Sequence, residues 1–493
     1  MSNRFNHWPA FLFLAVFAGS SLQAQEAPLQ LGSNRELFVD FHLIDRMDNL
    51  RLVLHEPRDE GPVFYFDQPW EGAFSAYCTI ICDNGLFSAY YRGLPAAQKE
   101  HERTATVCIA ESPDGITWRK PELGLCSVNG SAANNIVLAN DPETCHNFCP
   151  FIDTRPDCPP EQRYKAVAGD HLNGLFGFVS ADGINWRKIQ EEGIFKNGQF
   201  DSQNVAFWSE SEKCYVLYFR VWSGGGWDGF RTVSRTTSAD FINWSEPQPM
   251  TFGETPMEHL YTQQTHPYFR APQIYIAIGA RFVPDRQVLS DEQAQQINVN
   301  PGYYKDCSDA VLLTSRGGNR YDRTFMESFI RPGIGLQNWV SRSNYPALNV
   351  VQTTPTEMSI YVNQDYAQPT AHLRRYSLRL DGFSSLAAPY GGGEMISKAL
   401  IFTGNKLILN MATSAAGEIR VEIQDVGGTA IPGFGLENCQ PVIGNEIERQ
   451  VAWQRGADLG ALAGRPVRLR FYMKDANLYA MQFQNSPEPL GKQ

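Results

Sequence analysis

Apolar residues in this chain alternate with polar ones over short stretches and almost never recur at helical spacing. Runs such as YCTIIC, LFSAYYRG, RYKAVAG, CYVLYFRVW, QIYIAIGARF, AVLLTS and EMSIYVNQDY are six to ten residues long, bounded by Gly, Pro, Asn or Asp. Alternation of period two places apolar side chains on one face of a strand, so the pattern predicts β-structure. Helical periodicity is confined to Asp291–Gln296. Residues 25–60 (ELFVDFHLID, then RLVLHEP) predict two short strands. From about residue 370 the texture changes: LRRYSLRLDGFSSL, a Gly391-Gly392-Gly393 turn, SKALIF, KLILNMATS, EIRVEIQD, RPVRLRFYMKD and LYAMQFQ follow in regular antiparallel fashion. Strands about ten residues apart predict a β-sandwich.

One pattern, S-x-D-x-I-x-W, occurs three times, at Ser112–Trp118, Ser180–Trp186 and Ser238–Trp244, with spacings of 68 and 58 residues. A degraded echo lies at Ser315–Tyr321 (SRGGNRY). Self-similarity at this period marks one blade of a β-propeller. Asp followed by Gly offers a positive-φ turn, Ser and Asp bond back to turn amides, and the Trp covers the gap between neighbouring sheets. The third copy has Phe241 in place of Gly, so a different turn is expected there. These turns read as outer scaffold. Five strand groups begin near Trp70, Asn147, Asp201, Glu258 and Tyr304. The chain is thus expected to be all-β: a five-bladed β-propeller over residues 25–365, followed by a β-sandwich over 366–493.

Residues 1–24 read as a secretory signal: Arg4 and His7 precede the apolar run Ala10–Ala18, and Leu22-Gln23-Ala24 offers a cleavage point. Export to the periplasm or beyond is expected, and no later stretch has the roughly 18 apolar residues that span a bilayer. The remaining 470 or so residues exceed the usual single core of about 250–300, which predicts two domains. A net charge of −11 without a block of like charge argues against nucleic acid and anionic membranes as partners. Ten cysteines permit disulfides, whose pairing the sequence leaves open; several lie in apolar runs and read as buried thiols. Cys145, His146, Cys149 and Cys158 lack the usual spacing of a structural zinc site.

A propeller converges the starts of its innermost strands on a central funnel, so polar residues there are the candidates for chemistry. Blade one offers Asp67, Trp70 and Glu71; blade two His146, Asn147 and Asp153; blade three Asp201, Ser202, Gln203 and Asn204. The fourth group offers Glu258, His259, Tyr261, His266 and Arg270, and the fifth Asp306 and Asp309. A carboxylate in nearly every group is more than solubility needs, since a charge near a narrow funnel requires a partner or a role. Arg220, Arg270, Arg281 and Arg342 would bind substrate or neutralise the acidic funnel, and Trp70, Tyr261 and Trp222 are candidates for stacking on a sugar ring. Carboxylates around the channel also suit a structural calcium ion, although no cofactor is required.

The opening GPVFYFDQPWEG is similar to the blade-one start of glycoside hydrolase family 130, and FDSQN and MEHLY resemble the inner-strand Asp and Glu segments of family 43. With the S-x-D-G-I-x-W turns and the two-domain plan, the chain resembles the propeller superfamily containing families 32, 43 and 130. The Asn-Asp-Pro, Arg-Asp-Pro and Glu-Cys segments of family 32 are missing, which speaks against fructan chemistry. The resemblance implies a carboxylate triad on three blades: Glu258 as general acid, Glu71 as base or nucleophile, and Asp201 as orienter. His146, Asn147, Asn204, Arg220, His259, Tyr261, Arg270, Arg281, Asp309 and Trp70 would then bind substrate. The function implied is an exported glycosidase, exo-acting on a poly- or oligosaccharide. A non-catalytic carbohydrate-binding propeller is the alternative if Glu71, Asp201 and Glu258 do not converge. A family-130 phosphorylase would need a basic cluster, and no local run makes one. The turns are one residue shorter from Ser to Trp than the Asp boxes of sialidases.

Overall fold

The structure, a computed structural model, describes residues 27–96, 105–139 and 145–485; the expected signal segment lies outside them. Five antiparallel sheets follow one another along the chain and form the five blades of a propeller. Blade one comprises Ala76–Asp83, Leu86–Gly93, Thr106–Ser112 and Ile136–Leu138; blade two Cys149–Ile152, Tyr164–Asp170, Gly174–Ser180 and Arg187–Lys188. Blade three comprises Val205–Ser209, Cys214–Trp222, Arg231–Ser238 and Gln248–Pro249. In blade four the innermost strand is split into His259–Thr262 and Thr265–Tyr268, followed by Ala271–Val283 and Cys307–Ser315. Helix Asp291–Gln296 stands where expected, with Ser290 and Gln293 forming a capping box.

The fifth blade begins at Tyr345, not near Tyr304: its inner strand is split into Tyr345–Pro346 and Val351–Gln352, then come Glu357–Gln364 and His372–Arg379. The segment after Tyr304 is the third strand of blade four, paired with Ala271–Val283. Alternation marks a strand but not its partner, which is why the count was right and one start was displaced. The outer strand of blade five is Arg58–Tyr65, from the other end of the propeller sequence, in register His372↔Tyr65 and Ser377↔Arg58. Arg374 grips Asp59 there through two bonds of 2.7 and 2.8 Å. At the centre, Thr79 and Leu348 bridge the innermost strands of blades one and five.

The division expected at residue 365 runs differently in the pairings. His372–Arg379 belongs to blade five, whereas Arg35–Leu37, Ile44–Asp48 and Arg51–Leu54 pair inside the C-terminal sheet. The propeller is therefore inserted between Leu54 and Ser384, neighbours in that sheet. The C-terminal domain is built on two long strands, Lys406–Gln424 and Arg468–Gln484, paired along most of their length. Its core holds the stacked pair Phe402–Phe483, ring centres 3.8 Å apart, and fully buried Trp453 and Phe471.

All three S-x-D-x-I-x-W turns have one geometry. Ser112, Ser180 and Ser238 accept from the amide three residues on, and Asp114, Asp182 and Asp240 accept from the next two amides. Contrary to expectation, Phe241 adopts the same left-handed conformation as the glycines (φ 69°, against 72° for Gly115 and 77° for Gly183). Its ring is fully buried against Phe151, Tyr215 and Trp244, and that burial holds the unfavourable backbone in place.

The central channel has a floor. Gln264 donates to Gln203 Oε1 (2.7 Å) and shares its amide with the Pro346 carbonyl (2.7 Å), while Gln203 donates to Thr79 Oγ1 (2.8 Å) and contacts Cys149 Sγ (3.5 Å). Each blade contributes to this plug, and both amides are at least 97% buried. Below it lies a largely apolar cavity of about 500 Å³, walled by Ile80, Phe151, Phe207, Pro267 and Val350 among others. The charged groups described next sit on the opposite side, at the starts of the inner strands.

Candidate active site

Asp201 precedes the inner strand of blade three and keeps a side-chain exposure of 44%. Arg220, at the end of the second strand of that blade and only 3% exposed, donates to Asp201 Oδ2 at 2.9 Å. His146 Nε2 lies 3.6 Å from the other carboxylate oxygen. Burial opposes ionisation of Asp201, but the neighbouring His146 and the charge of Arg220 outweigh it and hold the carboxyl well below the usual range.

Tyr261, on the inner strand of blade four, stands at the centre of three guanidinium groups. Arg220, Arg231 and Arg342 lie 5.0, 5.3 and 5.4 Å from its ring centre, and Arg342 Nε donates to its hydroxyl at 3.2 Å. Burial pushes the phenol up; the charges of Arg342, Arg220 and Arg231 more than offset burial and the opposing charge of Asp201, leaving it below an ordinary tyrosine. Neighbouring Tyr77, Tyr345 and Tyr366 are pushed up instead, by burial first. Tyr345 packs against Tyr261 at 5.0 Å, and Arg92 lies 4.6 Å over Tyr77. Among the described residues this cluster, called the pit below, gathers one carboxylate, four arginines and a group of buried tyrosines.

Of the expected site residues, the pit brings together Asp201, His146, Arg220 and Tyr261. It does not include Glu71, which is fully buried in blade one, with Tyr91 and Lys120 donating at 2.5 and 2.6 Å and the Gln68 amide at 3.1 Å. Trp70 is tied to Asn135 in the same network (2.8 Å), not turned to the funnel. Asn147 and Asn204 are fully buried braces that hold the carbonyl of Ser202, next to Asp201. Arg270 is elsewhere altogether: it pairs with Asp381 and Glu448 where the propeller meets the C-terminal domain.

Glu258 forms a separate constellation. Arg281 and Arg323 reach its two oxygens at 2.7 and 3.1 Å, and Arg281 forks onto Asp309 at 2.9 and 2.6 Å. Both oxygens of Glu258 are thus engaged by guanidiniums. Glu258, Arg281, Asp309 and His259 line a cleft of about 710 Å³ in blade four. The cleft adjoins the pit: Phe282 lies 4.7 Å from Arg231, and His259 Nδ1 accepts from the Arg231 amide (3.2 Å).

Sequence reasoning missed Arg92 and Arg231, and the assembly of Arg342 with them. A signal was present in the second strands, which end in YYRG, YFRVW and GARF in blades one, three and four, each with an arginine at the mouth. Among the described residues no group of three or more His, Cys, Asp or Glu side chains converges as metal ligands. No disulfide is formed among the described residues. Among the described residues no helix is long and apolar enough to cross a membrane.

No family model and no curated protein matches the chain. Solved structures share its course at low identity. An N-acetylgalactosamine deacetylase from F. plautii, in complex with blood group B trisaccharide, is 13% identical with a TM-score of 0.44, over 67% of this chain and 96% of that one. A glycosyl hydrolase from Bacteroides ovatus is 14% identical with a TM-score of 0.37, over 70% and 93%. A structure reported for the GH130 family of mannoside phosphorylases, containing glycoside hydrolases that target β-1,2 mannosidic linkages in Candida mannan, is 13% identical with a TM-score of 0.38, over 72% and 96%. Likeness at this level leaves the function to be argued from the pit.

Proposed function

We propose that this chain is an exported glycosidase that cleaves saccharides at the Asp201–Tyr261 pit. The observation that carries this reading is that Arg220 reaches Asp201 at 2.9 Å with its guanidinium 5.0 Å from the Tyr261 ring centre, which brings a carboxylate and a phenol together from blades three and four. Glycosidic cleavage needs a proton for the leaving oxygen and a base or nucleophile at the anomeric carbon. Asp201, charged and partly open to solvent, suits the second role, taking a proton from water as that water attacks. Tyr261 suits the first: Arg342 donates to its oxygen, so its own proton is available to the leaving group, and the surrounding arginines stabilise the phenolate left behind. Proton return from Asp201 to Tyr261 through solvent restores the site. The triad of Glu71, Asp201 and Glu258 does not converge, which is what a carbohydrate-binding propeller would show, so the glycosidase reading rests on Asp201 and Tyr261 alone. The Gln203–Gln264 floor supports action on chain ends, since a polymer cannot thread the ring.

The test is reducing-end release from a broad glycan panel by the mature protein, with D201N and Y261F alongside. Release that falls at least about 100-fold in both variants, the range of a lost acid or base, supports the reading. Release that survives both puts the chemistry elsewhere. Binding without release by the wild type makes the propeller a carbohydrate-binding module.

A further inference from the structure

The pit is built for more than a neutral sugar. Among the described residues it gathers the guanidiniums of Arg92, Arg220, Arg231 and Arg342 with one carboxylate, that of Asp201. Of these, Arg92 is engaged by the Phe74 carbonyl and the Tyr366 hydroxyl, and Arg220 spends one nitrogen on Asp201. Arg220 Nε and Nη1, Arg231 Nε and the hydroxyl of Tyr345 are buried and have no hydrogen-bond partner in the protein. A neutral carbohydrate would not compensate such an excess of buried positive charge, whereas an oxyanion does, accepting the planar fork of an arginine through two oxygens.

We infer that the sugar unit held in the pit carries a carboxylate, so that the substrate class is a uronate-containing glycan, with Arg220, Arg231 and Arg342 as its anion clamp. This rests on the pit being the saccharide site. The same cations would also attract free inorganic phosphate; one observation favours a carboxylate on a sugar ring, since an exposed aromatic face has a partner in the CH groups of a pyranose and none in phosphate. Around the clamp Tyr77, Tyr261 and Tyr345 are buried and Arg231 covers the Trp222 ring at 4.4 Å, so the open aromatic surface lies further out. Beyond the mouth, Trp227 and Phe230 are 50% and 39% exposed, and Trp227 stands edge-on to Trp222 at 6.1 Å. This extends the apolar surface to where a neighbouring sugar unit would lie.

The experiment is isothermal titration and ligand-observed NMR on the full mature chain with glucuronate, galacturonate, glucose, galactose and inorganic phosphate. Wild type, R231Q, R342Q and R342K are compared, each checked for folding by its thermal transition. The expected result is uronate binding at least tenfold tighter than the neutral sugars, weakened by salt and at least tenfold poorer in either Gln variant, with R342K between. Equal binding of neutral sugars and uronates by the wild type overturns the inference, as does phosphate binding without uronate binding, or no uronate binding at all. The ligand comparison in the wild type decides even where a variant fails to fold. Cleavage of neutral glycans alone, lost in D201N, would sink this inference and leave the glycosidase reading standing. Uronate binding with no cleavage of acidic or neutral glycans would do the reverse.

Discussion

Arg220 Nη2 donates to Asp201 Oδ2 at 2.9 Å while its guanidinium faces the ring of Tyr261, so one cation touches both groups of the proposed acid–base pair. R220Q keeps a donor and removes the charge. Because that charge helps depress the Asp201 carboxyl, the acidic limb of the kcat/KM profile is expected to move to higher pH in R220Q. A purely structural role would lower activity at every pH without moving the limb.

Glu71 offers a contrasting prediction. Its carboxylate is sealed with Lys120, and breaking one side of a buried pair costs about 3–5 kcal/mol. E71Q is expected to lower the unfolding free energy in urea by about 3 kcal/mol, while activity per folded molecule stays near wild type. A kcat loss of 100-fold in a fully folded E71Q protein would return Glu71 to the chemistry.

Phe241 sets two effects against each other. Its left-handed backbone costs about 1–2 kcal/mol, and removing a buried Phe side chain costs about 3–5. Packing wins, so F241G is expected to lose about 2 kcal/mol in denaturant titration despite relieving the turn. At the equivalent Gly183 the opposite limit holds: an added Cβ would lie 2.5 Å from the Tyr90 hydroxyl, and G183A is expected to destabilise as well.

His266 gives the fold an acid weakness. It is 95% buried; Nε2 accepts from the Val350 amide and Nδ1 therefore donates to the Gln264 carbonyl, which fixes a neutral ring. Burial lowers its pKa from 6.5 to about 4. The folded state thus binds this proton more weakly than the unfolded one. Its contribution is intact above about pH 6.5 and declines by roughly 3 kcal/mol as pH falls to about 4. Thermal transitions measured between pH 7 and 4 are expected to drop less steeply in H266Q than in wild type.

The blade count, the helix Asp291–Gln296 and two of the three repeat turns were legible because each is written in local pattern: period two, helical periodicity and Ser-x-Asp turns; the third turn, at Phe241, was expected to differ and does not. Blade five was not, since its outer strand is Arg58–Tyr65, more than three hundred residues from its partner, and alternation carries no address. Of the candidates read from strand ends around the funnel, the structure brings Asp201, His146, Arg220 and Tyr261 together. Glu71 and Glu258 were misplaced because a carboxylate beside an inner strand looks the same whether it faces solvent or a lysine such as Lys120. The arginine cluster escaped because Arg92, Arg220 and Arg342 come from three different blades, and no run in the sequence brings them together.

The insertion of the ring between Leu54 and Ser384 also sets a schedule for synthesis. A ribosome that has released blades one to four has exposed an open arc whose first strand, Arg58–Tyr65, has no partner until His372–Arg379 emerges. Arg51–Leu54 and Ile44–Asp48 wait for Ser384–Ala388 and Gly393–Ser397, and Arg35–Leu37 waits longest, for Arg468–Gln484 at the far end of the sequence. Until then the nascent protein carries unsatisfied sheet edges of the kind that invite pairing with other chains. Its burden in the cell is therefore a long vectorial delay before closure: a nonsense or frameshift change before His372–Arg379 leaves both domains unfinished, and one between there and Arg468–Gln484 leaves the C-terminal sheet unfinished.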